Sequence, residues 1–236
     1  MKQLSKFNAI SFHLYPGIII TIGFIFLAPF VMQFGFPPQF GMLLSIILIA
    51  VPLLVVHMFS AKKSENKKNI FELNRYNQKL PISKLILYSV GLVVFAFLVW
   101  GGTQPLNIII SQKLLKWFPA WYTGQSLSGY GKNKILITLI FNLLLNGFLA
   151  PFIEEFYFRG YLLPRMHNWG ISAFALNAVL FTLYHFWQPY IYLTLFLSLL
   201  PMTWLVWKTK DIRLSILTHS LLNLIGALLS FGLLYK

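Results

Sequence analysis

The chain has no cysteine, so neither a disulfide framework nor thiolate catalysis is open to it. A single aspartate, Asp211, excludes a catalytic aspartate pair. No His-Glu-x-x-His sequence occurs, which removes the usual zinc-binding helix. Ser126, in Gly-Gln-Ser-Leu, lacks the flanking glycine of a serine elbow. Charge is scarce as well: 10% of residues are charged against 58% hydrophobic, which excludes a soluble globular domain. Acid is scarcest, being confined to Glu65, Glu72, Glu154, Glu155 and Asp211.

What remains is apolar. Hydrophobic runs recur that are long enough to cross a bilayer, which takes about 20 residues per helix. They do not alternate as barrel strands do, and only helices or closed barrels satisfy their backbone in lipid. The fold class is therefore all-α, a polytopic membrane helix bundle of about seven transmembrane helices in one domain, residues 1–236. The predicted spans are 17–32, 40–59, 85–110, 135–163, 171–186, 190–207 and 214–235. The first reads as an uncleaved span rather than a signal peptide.

The net charge of +14 lies mostly in short loops between these runs. That is the pattern of the positive-inside rule, not of nucleic-acid binding. The N-terminus, the 61–84 loop and the 208–213 turn are thus expected in the cytoplasm of a cell membrane, against anionic lipid. The 111–134 loop falls outside by alternation despite its four lysines, with a surface helix expected around 113–117. Gly101, Gly102 and Pro105 are expected to loosen the outer end of the third span.

Two of the five acids sit side by side in an apolar run, at Glu154 and Glu155. A carboxylate at the centre of a membrane helix costs roughly 2.5–3.5 kcal/mol on insertion scales, so the pair needs a reason. On a helix Glu155 and Arg159 lie one turn apart on one face, in the favourable order for an ion pair. Glu154 points about 100° away and has no basic residue within a turn. It is the free carboxylate.

The natural turn after this span is His167-Asn-Trp-Gly170, with Glu154 15 residues before Trp169 and His185 16 after it. In an antiparallel hairpin both therefore stand about 22–24 Å from the turn. Asn177, Phe181 and His185 share one face of the fifth span, and Ser215, His219 and Asn223 one face of the seventh. One carboxylate, two imidazoles and an amide converge from three helices. His13 and His57, near span ends, are expected to be structural, as is common for lone polar groups between membrane helices.

Glu154-Glu155-x-x-x-Arg159, Phe181-x-x-x-His185 and His219-x-x-x-Asn223, in this order on successive spans, resemble the CPBP family. Its members are the CAAX prenyl protease and bacteriocin-processing (Abi) intramembrane proteases. The resemblance covers about 135–236, the expected catalytic core, and implies an intramembrane endopeptidase acting on a membrane-associated protein or peptide. The residues themselves suit that chemistry. Glu154 with His185 can activate a water, and His219 with Asn223 can hold a tetrahedral oxyanion. Glu155, Arg159 and Phe181 would support them.

Glu154, His185 and His219 are also a His₂Glu set of the kind that binds catalytic zinc. No cofactor is firmly predicted, because Glu154 as a ligand would leave no free base. A proton-coupled transporter uses similar residues, although no inverted repeat supports that reading. A non-catalytic immunity protein is the third alternative. The substrate's identity is beyond the sequence; the small, Lys-rich chain resembles the bacterial members, linked to peptide maturation or bacteriocin immunity, more than those acting on prenylated proteins.

Overall fold

The structure is a computed structural model that describes residues 3–235. Among them no strand forms, and six helices are long and apolar enough to cross a membrane. These six are α1 (Lys6–Gln33), α2 (Pro38–Ser64), α3 (Ile82–Leu114), α5 (Lys132–Arg165), α7 (Pro189–Thr209) and α8 (Arg213–Ser230). Between them lie α4 (Ala120–Gly124) and α6 (Ala173–Tyr184). The chain is thus a multi-pass, all-helical membrane bundle, its outer surface studded with exposed Ile, Leu, Val and Phe.

The expected fifth span is the exception to the predicted lengths. At 12 residues, α6 is about 18 Å long, short of the roughly 30 Å hydrocarbon core. His185 breaks it, adopting φ −79° and ψ 51° while its N–H turns back to the Thr182 carbonyl at 3.1 Å. Pro189 then keeps Gln188 out of helical geometry. The helix stops where the chemistry was expected.

Three other expectations are corrected. Pro105 does not loosen α3, which runs on through a wide turn to Leu114. The surface helix consequently begins later, after Pro119, and spans Ala120–Gly124. At the other end of the chain, α1 starts at Lys6, where the Ser5 hydroxyl accepts from Asn8 N–H at 3.1 Å. His13 is therefore inside the first helix and fully buried rather than near a span end.

Basic segments gather at one end of the bundle. Leu4 N–H donates to Arg165 O at 3.0 Å, Arg75 N–H to Gly160 O at 3.3 Å and Ile212 N–H to Tyr76 O at 3.1 Å. These bonds put the N-terminus, the 65–81 loop and the 210–213 turn side by side. Burial alone would raise the Asp211 carboxyl, but hydrogen bonds from Arg213 and Leu80 N–H hold it below the usual carboxylate range.

The hairpin of α5 and α6 turns where the sequence placed it. Gly170 takes φ +55°, which glycine alone adopts freely. Across the hairpin the Tyr184 hydroxyl donates to Glu154 Oε1 at 3.3 Å and Asn177 Nδ2 to Phe158 O at 3.0 Å. Both pairings centre on residues 167–169. Gly17 of α1 packs against the Tyr184 carbonyl so closely that a Cβ would collide with it.

Candidate active site

Helix α5 reaches the site through two wide turns, Asn142–Leu149 and Phe156–Leu162, with bonds running five residues back. Ala150 N–H bonds to Leu145 O. The next donor in that ladder would be residue 151, which is proline and has no N–H. The Asn146 carbonyl is left open, and Asn223 Nδ2 of α8 donates to it at 2.8 Å. A neighbouring side chain thus satisfies backbone that the proline orphaned.

The two glutamates divide as their helix phase predicts. Arg159 Nη1 donates to Glu155 Oε1 at 3.1 Å, with both side chains fully buried. The same Oε1 accepts from His219 Nδ1 at 2.9 Å. Glu155 Oε2, Arg159 Nε and Arg159 Nη2 have no hydrogen-bond partner among the described residues. The nearby Ser215 hydroxyl donates instead to Ile212 O at 3.1 Å. The Arg159 guanidinium lies 3.8 Å from the centre of the Phe181 ring, a cation–π contact in a desolvated place.

Glu154, by contrast, is half-buried and faces a cavity of about 240 Å³ that His185, His219 and Asn223 also line. The four polar groups expected to converge share this one space, whereas Glu155, Arg159 and Phe181 stand behind it. Phe181 spaces the imidazoles, its ring centre 4.9 Å from that of His185 and 6.3 Å from that of His219. His185 Nδ1 is 2.8 Å from the Phe181 carbonyl. A carbonyl only accepts, so Nδ1 carries a proton and, in the neutral ring, the Nε2 lone pair is free.

His13 and His57 stand apart from this cavity. Asn177 Nδ2 donates to His13 Nε2 at 2.8 Å, and His13 Nδ1 lies 2.6 Å from Ala9 O. His57 Nδ1 lies 2.7 Å from the Tyr15 hydroxyl and 3.1 Å from that of Tyr157. Asn177, on the face of Phe181, thus serves the α1–α6 contact and not the cavity.

Several cavity residues escape a reading of motifs. Asn142, Asn146, Gln39, Gln125, Gln188 and Trp187 all line it. Gln125, at left-handed φ 42°, donates to Trp187 O at 3.1 Å, and the Tyr122 hydroxyl donates to Phe186 O at 2.6 Å. The 115–131 loop is thereby pinned over the 185–188 turn. Tyr184, which bonds Glu154, was reachable from the hairpin count, since 154 and 184 are equidistant from 169. Asn142 and Asn146 carried the signal of two amides one turn apart in an apolar run.

Glu154, His185 and His219 are donors that zinc accepts, and both imidazoles have Nδ1 engaged, as metal-binding histidines do. As arranged, however, no three His, Asp or Glu side chains among the described residues converge on one ion position. The set does not fit a metal in this conformation, and no step below runs through one.

Residues 136–225 match the family described as Rce1-like: Type II CAAX prenyl endopeptidase Rce1-like. The matched stretch contains Glu154, Glu155, Arg159, Phe181, His185, His219 and Asn223. No curated protein and no solved structure matches the chain.

Proposed function

We propose, from the match of residues 136–225 to that family, that the chain is a CAAX-type intramembrane protease and hydrolyses peptide bonds inside the bundle through Glu154. The observation that carries the reading is one cavity lined by Glu154, His185, His219 and Asn223, with the buried Glu155–Arg159 pair behind it.

A water in this cavity donates one hydrogen bond to Nε2 of His185 and presents its other proton to the Glu154 carboxylate. Glu154 removes that proton as the water oxygen attacks the scissile carbonyl. The carbonyl's π pair moves onto oxygen, giving a tetrahedral oxyanion. His219, when protonated, donates to it from Nε2. Asn223 is the second donor: its Nδ2 carries two hydrogens, one held by Asn146 O at 2.8 Å and the other only loosely engaged by Asn146 Oδ1 at 3.4 Å. Collapse breaks the C–N bond, and Glu154 returns its proton to the departing amine. Glu155 fixes the His219 ring through Nδ1, so it orients without touching substrate.

The substrate we infer is a membrane-associated protein or peptide, and no tightly bound metal is required. The protein would sit in the cell membrane, with its N-terminus, 61–84 loop and 208–213 turn cytoplasmic. Impermeant labelling that found Ser64 outside the cell would contradict that orientation. Stoichiometric zinc in active protein, with activity lost on chelation and restored by zinc, would replace the metal-free mechanism.

The decisive assay uses purified protein in liposomes with membrane-inserted peptides in ¹⁸O-water. Hydrolysis places one ¹⁸O in the new carboxylate, and Glu154→Gln abolishes it. Cleavage undiminished in Glu154→Gln would overturn the reading.

A further inference from the structure

The cavity holds two amide side chains that the mechanism leaves unused. Asn142, from the wide turn of α5, is 6% exposed, and its Oδ1 has no hydrogen-bond partner among the described residues. Gln39, at the start of α2, makes no side-chain hydrogen bond among the described residues either. Both line the 240 Å³ cavity of Glu154 and also an adjoining one of about 400 Å³ that shares His185, His219 and Asn223. The larger space extends past Phe97, Leu199 and Ala227 of α3, α7 and α8.

A buried acceptor without a donor is costly, and native proteins seldom keep one without cause. Water in the cavity can meet that need until substrate displaces it, and what takes its place must then offer N–H and C=O groups within a membrane-buried space. A helical segment cannot, because its backbone bonds are spent internally. An extended peptide offers one donor and one acceptor per residue.

We propose that Asn142 and Gln39 form a subsite that hydrogen-bonds the backbone of an extended substrate stretch flanking the cleaved bond. This rests on the protease reading above. The subsite selects segments that are already unwound, so apolar substrates interrupted by proline or glycine near the cleaved bond are preferred to uninterrupted helices. Neither amide takes part in bond breaking. They act on binding.

The test uses a synthetic, proline-interrupted membrane peptide in liposomes, together with versions N-methylated in turn at each amide flanking the cleaved bond. Asn142→Leu should raise KM about tenfold, the worth of one hydrogen bond, and change kcat less than twofold. Its melting temperature should equal or exceed that of the wild type, because an orphan acceptor is gone. Gln39→Leu should act in the same direction. At one position N-methylation should weaken binding by the wild type and have no further effect on Asn142→Leu. Unchanged KM in both variants, or a methylation penalty that persists in Asn142→Leu at every position, would remove the subsite and leave the protease reading standing. If the wild type hydrolyses none of the peptides, both readings fall together.

Discussion

Two buried arginines lie six residues apart on α5, and they are treated oppositely. Arg165 is closed: Nε meets Glu65 Oε1 at 2.7 Å, Nη2 meets Glu65 Oε2 at 2.9 Å, and Nη1 donates to the carbonyls of Leu73 and Tyr161. Arg159 is open: a single hydrogen bond joins it to Glu155, and Nε, Nη2 and Glu155 Oε2 have none among the described residues. The closed pair ties segments a hundred positions apart in sequence and touches no catalytic candidate. The open pair bonds directly to His219. Saturated charge fastens the fold, whereas the undersatisfied charge stands beside a candidate catalytic imidazole.

The largest expected effect breaks the closed pair. Glu65→Gln leaves Arg165 buried without its counter-charge and should cost about 3 kcal/mol or more. Thermal unfolding in detergent would read it, with cleavage per folded molecule unchanged. Arg165→Met should cost less, since Glu65 can still turn toward water.

Removing both charges sharpens the contrast. The double change Glu155→Leu with Arg159→Met deletes three atoms that lack partners among the described residues, and a neutral His219 ring that loses its Nδ1 acceptor can move its proton to Nε2, so stability should hold within about 1 kcal/mol. Cleavage should fall about 10–100-fold, the loss typical when a metal-site histidine loses its outer carboxylate partner. The matching double change at 65 and 165 should remain destabilising, because the Leu73 and Tyr161 carbonyls lose their donor. Equal outcomes for the two doubles would erase the distinction.

A smaller effect follows from acid. Burial raises the Glu65 carboxyl, but Arg165 outweighs it and holds the folded pKa below the usual value. The stabilisation is then fully present above the unfolded carboxylate pKa and disappears as pH falls through the folded one. Wild-type melting temperature should drop on acidification below about pH 4.5, near the ordinary glutamate pKa, and Glu65→Gln should show a shallower drop. The smallest effect is Tyr184→Phe, which removes one 3.3 Å bond to Glu154 and should slow cleavage only a few-fold.

Much of this site was legible in the sequence. Helix phase separated Glu155 from Glu154, and counting from Trp169 put α5 and α6 in register. Three things were not legible. The i,i+4 arithmetic assumes a regular helix, so it missed the wide turns that Pro151 helps to impose and the open Asn146 carbonyl they create. Hydropathy continues past Tyr184, so it hid the break that makes α6 too short to span. Gln39 and Gln125 come from segments with no motif, and only tertiary packing brings them to the cavity.

The central claim is that the adjacent glutamates are not equivalent. The most direct test compares Glu154→Gln with Glu155→Gln in single-turnover cleavage, at matched reconstitution and with melting curves confirming folded protein. Glu154→Gln should leave no measurable turnover, while Glu155→Gln should retain residual activity, reduced about 10–100-fold. Equal loss in both, or greater loss in Glu155→Gln, would contradict the division of roles drawn from this structure.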